Sequence, residues 1–191
     1  MRIITYQSRA VYQILKEKGE HKITSPEMTK TFNSMCSKIY PLNRPFEEGY
    51  EYIKNRMKKL INNEDLDEDI ISPIWGWAAY KSIRKLDKDN PDNYRIILEI
   101  PDDKVLLTDF SAYEDFSIGK LHAVTESDEE YEALKKKVEE CGKEVAYELY
   151  DQMLDLSEAD YVQATFWKIK KEYIVTMTKV RTKHRKIRYS F

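Results

Sequence analysis

Apolar and polar positions along this chain follow two different periods, and the change of period marks out the elements. "RIITY" (2–6) is short, apolar and β-branched, the pattern of a strand. Ser8 follows it where a side-chain oxygen can cap a helix, and "RAVYQILKEK" is the helix to be capped, closed by Gly19 in the left-handed position. "FEEGYEYIKNRMKKLI" (46–61) sets Phe46, Tyr50, Ile53, Met57, Leu60 and Ile61 three or four apart, which gives one buried helical face. "YRIILEI" (94–100) is a continuous apolar run of strand length, and "KVLLTDF" (104–110) reads as a second extended segment after the turn "PDD". Helical patterns fill 110–117 and 128–155, with a break near Gly142. Strand character returns in "YVQATFWKI" (161–169) and "YIVTMTKV" (173–180), which read as a β-hairpin with Trp167 on one face and Phe166 on the other.

Two stretches resist a regular reading. Residues 20–44 are polar and contain Pro26 and Pro41, so they read as a long excursion or lid, with "PEMTKTFNSMCSKI" as a helix alternative. In "IISPIWGWAAY" (70–80) Pro73 and Gly76 interrupt any regular element, which predicts a short extended segment turning, or entering a helix, near Ala78. Strands at the start, middle and end with helices grouped between them predict an α+β fold: one domain over 1–180 with a mixed or mostly antiparallel sheet and flanking helices, then a basic tail over 181–191.

A length of 191 residues suits one domain, and 41% hydrophobic with 35% charged residues describes a folded chain with a heavily solvated surface. The chain has neither the roughly 20 consecutive apolar residues that cross a bilayer nor a signal-peptide pattern, so the expected setting is the cytoplasm, away from membrane. Cys36 and Cys141 are far apart and lack histidine spacing, so reduced thiols are expected in place of a disulfide or zinc motif. Net charge is −2, too small to draw the whole molecule to nucleic acid, but its distribution is uneven. "EDLDED" (64–69) is acidic, and "KVRTKHRKIRYSF" (179–191) carries six Lys or Arg and no acid. The plain reading pairs acidic loop with solvated tail; the functional reading makes the tail a handle for phosphates, with nucleic acid as partner.

No Walker loop, Rossmann glycine pattern or nucleophile elbow occurs, and His21, His122 and His184 lack a spacing suited to a metal. What remains is polar residues set among apolar ones. Thr5 and Gln7 flank Tyr6 at the end of the first strand. Gln163, Thr165 and Trp167 share one face of the late strand, and Val162, Ala164 and Phe166 share the other. A glutamine and a threonine beside a tryptophan form a stacking platform for a planar ring with polar edges; the alternative is an ordinary solvent-facing side of a strand. Trp75 and Trp77 share a sheet face with Tyr80 close by, and Gly76 lets a backbone or a ligand approach; the alternative is core packing. Asp109 is placed to cap the helix that follows it.

"ITYQ…VYQILKEKG", "PIWGW", "LEIPDDKVLLTDF" and "VQATFWKIK" together resemble the bacterial family called domain of unknown function 3841 over nearly the whole chain, with Tyr113 standing where a tryptophan is usual. That family name brings no activity with it. The order of elements also resembles, more remotely, the ADP-ribosyltransferase and RNA 2'-phosphotransferase superfamily, in which a nicotinamide dinucleotide (NAD) sits in a cleft between two small sheets. That resemblance implies catalytic positions at Thr5, Gln7 and Gln163, a ligand-binding position at Tyr80 or at Trp75 and Trp77, and NAD or a related nucleotide as ligand; the strand-face pattern adds Thr165 and Trp167 as ligand-binding candidates. Gln163 would stand in place of the superfamily's late-strand glutamate. A neutral amide does not stabilise an oxocarbenium-like charge as a carboxylate does, which counts against transferase chemistry. Three readings follow: an ADP-ribosyltransferase-like nucleotide-binding protein or transferase, a non-catalytic module that grips a peptide or nucleic acid, and an RNA-directed enzyme working through Lys and Arg.

Overall fold

The computed structural model describes residues 1–25, 44–80, 82–117, 127–141 and 150–181. Six strands form one antiparallel sheet around β1 (Arg2–Gln7). β3 (Ile74–Ala79) lies on one side of β1 and β4 (Tyr94–Glu99) on the other. β6 (Val162–Phe166) and then β5 (Leu106–Asp109) extend the sheet beyond β3, and β8 (Ile174–Lys179) extends it beyond β4. A separate two-stranded ribbon joins β2 (Glu20–His21) to β7 (Ile169–Lys170). Among the described residues five helices accompany them: α1 (Arg9–Lys18), α2 (Arg44–Leu60), α3 (Ile83–Asp89), α4 (Phe110–Ser117) and α5 (Asp128–Cys141). The α+β class and the largely antiparallel sheet are as expected. None of these helices is long and apolar enough to cross a membrane.

Local signals act as the residues dictate. Ser8 Oγ accepts from the Val11 N–H at 3.3 Å, and Gly19 at φ 76° lets its own N–H return to the Leu15 carbonyl. Asp109 Oδ1 accepts from the Ser111 N–H at 2.9 Å at the start of α4, the expected cap. On α2, Ile53 and Met57 are buried as the spacing demands. Leu60 is an exception, 57% exposed, and its place in the core goes to Tyr52, whose hydroxyl donates to Asp151 at 2.6 Å.

Gly76 sits inside a six-residue strand; it does not break one. A Cβ there would come within 2.6 Å of Ile3 Cγ2 and 3.0 Å of the Ile4 carbonyl oxygen, so the missing side chain is what lets β3 lie against β1. The irregularity falls one step later, at a register shift between Trp77 and Ala79, and the next helix waits until Ile83. The expected turn or helix near Ala78 is therefore replaced by strand.

The hairpin reading of 161–180 is also corrected. β6 and β8 stand four places apart in the sheet and do not pair, and the chain between them crosses the sheet as a strap. The strap is held by burial of Ile169 and Tyr173, by pairing of β7 with β2, and by Asp65, which receives the Tyr173 hydroxyl at 2.8 Å and the Lys170 ammonium at 2.6 Å. These contacts outweigh the local tendency of two adjacent strand-like runs to fold on each other.

Strap and α1 cover one face of the sheet, where Ile3, Ile74, Ile96, Leu98, Ala164 and Phe166 pack with Leu15, Ile169 and Tyr173. On the other face Tyr52, Ile53 and Met57 of α2 meet Leu106, Ala112, Tyr113, Met153 and Trp167. Each such buried aliphatic side chain contributes about 1.5–3 kcal/mol. The acidic stretch 64–69 is tied down by lysines of the fold: Asp67 meets Lys22 at 2.6 Å and Lys168 at 2.7 Å, and Asp69 meets Lys22 at 2.8 Å. The expected pairing of this stretch with the tail falls outside the described residues. Tail residues 182–191, most of the expected lid (26–43), Cys36, and the part of the 128–155 helical pattern over 142–149 lie outside the described residues; 151–154 form a 3-10 turn.

Candidate functional site

Cross-strand register builds one row on the α2 side of the sheet. Ile4 lies opposite Trp77, Trp77 opposite Gln163, and Gln163 opposite Thr108. Side chains in register across a sheet share a face, so Trp77, Gln163 and Thr108 stand side by side. Gln163 is 8% exposed and Thr108 0% exposed, yet neither Gln163 Oε1 nor Thr108 Oγ1 has a hydrogen-bond partner. Buried polar atoms are nearly always bonded, and an orphan costs about 1–3 kcal/mol. Two orphans on neighbouring strands in one row call for a cause.

Aromatic rings frame the row. Trp77 is half-buried, with Phe110 edge-on at 4.9 Å and Tyr161 at 6.3 Å, and the Lys85 ammonium lies 5.9 Å from the Tyr161 ring. Trp75, two residues away on the same face, meets Tyr113 at 4.9 Å and Tyr50 at 5.6 Å, and its buried indole N–H also lacks a partner. Trp75, Trp77 and Gln163 are thus brought together on one face.

The other candidates are placed differently. Thr165 shares the face, but its hydroxyl is spent on the Leu106 carbonyl at 3.2 Å. Trp167 is 1% exposed and donates its indole N–H to Asn63 at 2.9 Å, a core role. Tyr80 lies half-buried just beyond β3. Thr5 and Gln7 alternate with Ile4 and so project from the opposite face, where the Thr5 hydroxyl donates to the Trp75 carbonyl at 2.7 Å and accepts from Gln7 Nε2 at 2.8 Å. Both therefore serve β1 and its junction with β3, away from Gln163. Thr108, Phe110 and Tyr161 are the members of the site that sequence reading passed over. A polar residue inside the apolar run "VLLTDF" was the available signal for Thr108.

A second polar cluster lies on the strap side. Burial pushes the Asp65 carboxyl up, but Lys170, Tyr173 and Lys104 around it override that and hold it below the usual carboxylate range. Next to this clamp a cleft of about 590 Å³ is lined by His21, by the cations Lys18, Lys22 and Lys170, and by the anions Glu20, Asp69 and Glu172, so its charges balance. His21 is buried, and burial alone lowers its pKa to about 4, so the ring is neutral near pH 7. Among the described residues no three His, Cys, Asp or Glu side chains are grouped to hold a metal ion.

Fold and site together define an α+β domain built on one antiparallel sheet, with an aromatic and amide cluster on one face. The family model described as domain of unknown function (DUF3841) matches residues 2–175, and the chain belongs to that family. No curated protein and no solved structure matches it.

Proposed function

We propose that the row Trp77, Gln163 and Thr108 binds a planar ring with a hydrogen-bonding edge, of the nucleobase or nicotinamide kind, and that the domain is a small-molecule binder. One observation carries this: two buried oxygens, on side chains facing each other across adjacent strands, have no partner. Gln163 Oε1 can only accept, while the Thr108 hydroxyl can donate or accept, so together they match the adjacent donor and acceptor of a carboxamide or an aminopyrimidine edge. Trp77, Phe110 and Tyr161 beside the row are half-buried, so a ring reaching the two oxygens would meet these side chains first. Stacking of a base on an aromatic ring is worth about 1–3 kcal/mol. The reading stops at binding, because a neutral amide offers no charge to a cationic transition state.

The test is calorimetric titration of the full chain with NAD and with adenosine, beside Gln163→Met and Trp77→Ala. Binding to the parent chain and loss of about tenfold or more in both variants supports the proposal, that factor being worth about 1.4 kcal/mol. Equal binding by parent and variants overturns it and leaves an ordered water as the partner of the two oxygens.

A further inference from the structure

The same sheet face carries a second row at its other end, where Tyr6 lies opposite Arg95 and Arg95 opposite Thr178. Asp87 of α3 fastens this row. Its Oδ1 accepts from the Tyr6 hydroxyl at 2.8 Å, and its Oδ2 accepts from Arg95 Nη1 at 2.7 Å. Both carboxylate oxygens are thereby engaged. Beside them opens a cleft of about 320 Å³ lined by Asp87, Lys88, Arg95, Thr178, Lys179 and Arg181. Lys88, Lys179 and Arg181 are exposed, and among the described residues none of them is paired with a carboxylate. Arg95 keeps a buried Nε–H without a partner even while it holds Asp87. Four cations therefore surround a cavity whose single acid is already occupied, with the Thr178 hydroxyl added as a neutral donor.

We propose that this cleft is an anion site that takes a phosphate group. A carboxylate ligand would bring one charge and two acceptor atoms. A phosphate monoester brings about −1.5 to −2 charges and three acceptor oxygens, closer to the excess of cations and to the N–H and O–H donors that line the cleft. The chain leaving the cleft after Arg181 adds Lys183, Arg185, Lys186 and Arg188 with no acid, so the same sign of charge continues in the sequence. This site stands apart from the aromatic row. Lys85 of α3 reaches Tyr161 on one flank of that helix, and Asp87 reaches Arg95 on the other.

The phosphate has two sources: a free nucleotide or pyrophosphate, whose terminal phosphate carries that charge, and the backbone of a nucleic-acid strand, whose diesters carry one charge each but present several in succession to the cations; the experiment separates them. The full chain is titrated with inorganic pyrophosphate and with a short single-stranded RNA over a series of salt concentrations, next to a Lys88→Glu, Lys179→Glu double variant. Both positions are exposed, and thermal melting confirms that the variant is folded. The double variant is expected to bind about tenfold more weakly or worse and to lose roughly two from the slope of log K against log salt. Comparable binding of both probes assigns the site to a small phosphate ligand, and binding of RNA alone assigns it to a strand; each supports the proposal. Absence of binding by either probe at low salt overturns it. So does RNA binding that the double variant leaves unchanged, which would credit residues after Arg181 instead.

Discussion

Replacing Gln163 by Met should make the unliganded protein more stable, the reverse of what a substitution in a buried strand position usually does. Gln163 is 8% exposed and its Oε1 is without a partner in the folded chain, whereas in the unfolded chain that oxygen is hydrated. Folding therefore loses about 1–3 kcal/mol at this atom, and a methionine of similar length removes the loss while keeping the packing against Trp77 and Thr108. Thr108→Val removes the second orphan at nearly constant volume, with an expected gain of about 1 kcal/mol. Melting temperature should rise by roughly 2–4 °C for each kcal/mol in a domain of this size. Urea denaturation checks the sign: the midpoint should move up with the slope unchanged, and the two changes should add within about 0.5 kcal/mol if the oxygens do not interact. A loss of more than about 1 kcal/mol in either single variant would refute the reasoning, since it would mean that the oxygen has a partner when folded. A site that gains stability when its polar atoms are removed is one whose polarity is kept for binding.

Other perturbations test the frame around the site. Gly76→Ala should destabilise by about 1–3 kcal/mol, because the new Cβ meets Ile3 and the Ile4 carbonyl oxygen at 2.6 and 3.0 Å; an unchanged urea midpoint would show that β1 and β3 have room to part. Asp65→Asn should cost about 1–3 kcal/mol, since the buried partner of Tyr173 and Lys170 loses its charge; thermal melting reads this, and a neutral result would mean the strap is held by Ile169 and Tyr173 burial alone. Burial lowers His21 from its ordinary 6.5 to about 4, so the unfolded chain takes up its proton first as pH falls. The His21 contribution to stability is complete above pH 6.5 and is lost progressively down to about pH 4, and His21→Gln should remove that part of the slope in a series of melts.

What was legible in the sequence was local. Ser8, Gly19 and Asp109 act over two to four residues, and their roles follow from hydrogen-bond geometry that helix ends share. The strap was not legible, because Lys168 and Tyr173 find Asp67 and Asp65 more than 100 positions away, and no local pattern records such a partner. Gly76 was read as a breaker since its use, contact with Ile3, depends on which strand lies next to it. The candidate site divides along the same line. A period of two placed Gln163 and Trp167 on one face and Trp75 with Trp77 on another strand's single face. Whether Thr5 joins Gln163 depends on the register of β3, which lies between them. With Ile4 opposite Trp77 and Trp77 opposite Gln163, Thr5 falls to the far side; a slip of one residue would have brought it to the near side.

Crystal structures of the chain grown with and without NAD test most directly whether a ligand completes the Gln163 and Thr108 row. The predicted result is a planar ring against Trp77 whose polar edge lies within hydrogen-bond distance of Gln163 Oε1 and Thr108 Oγ1, about 2.7–3.2 Å. An ordered water between the two oxygens in both structures, with NAD absent from the row or seated elsewhere, would contradict it.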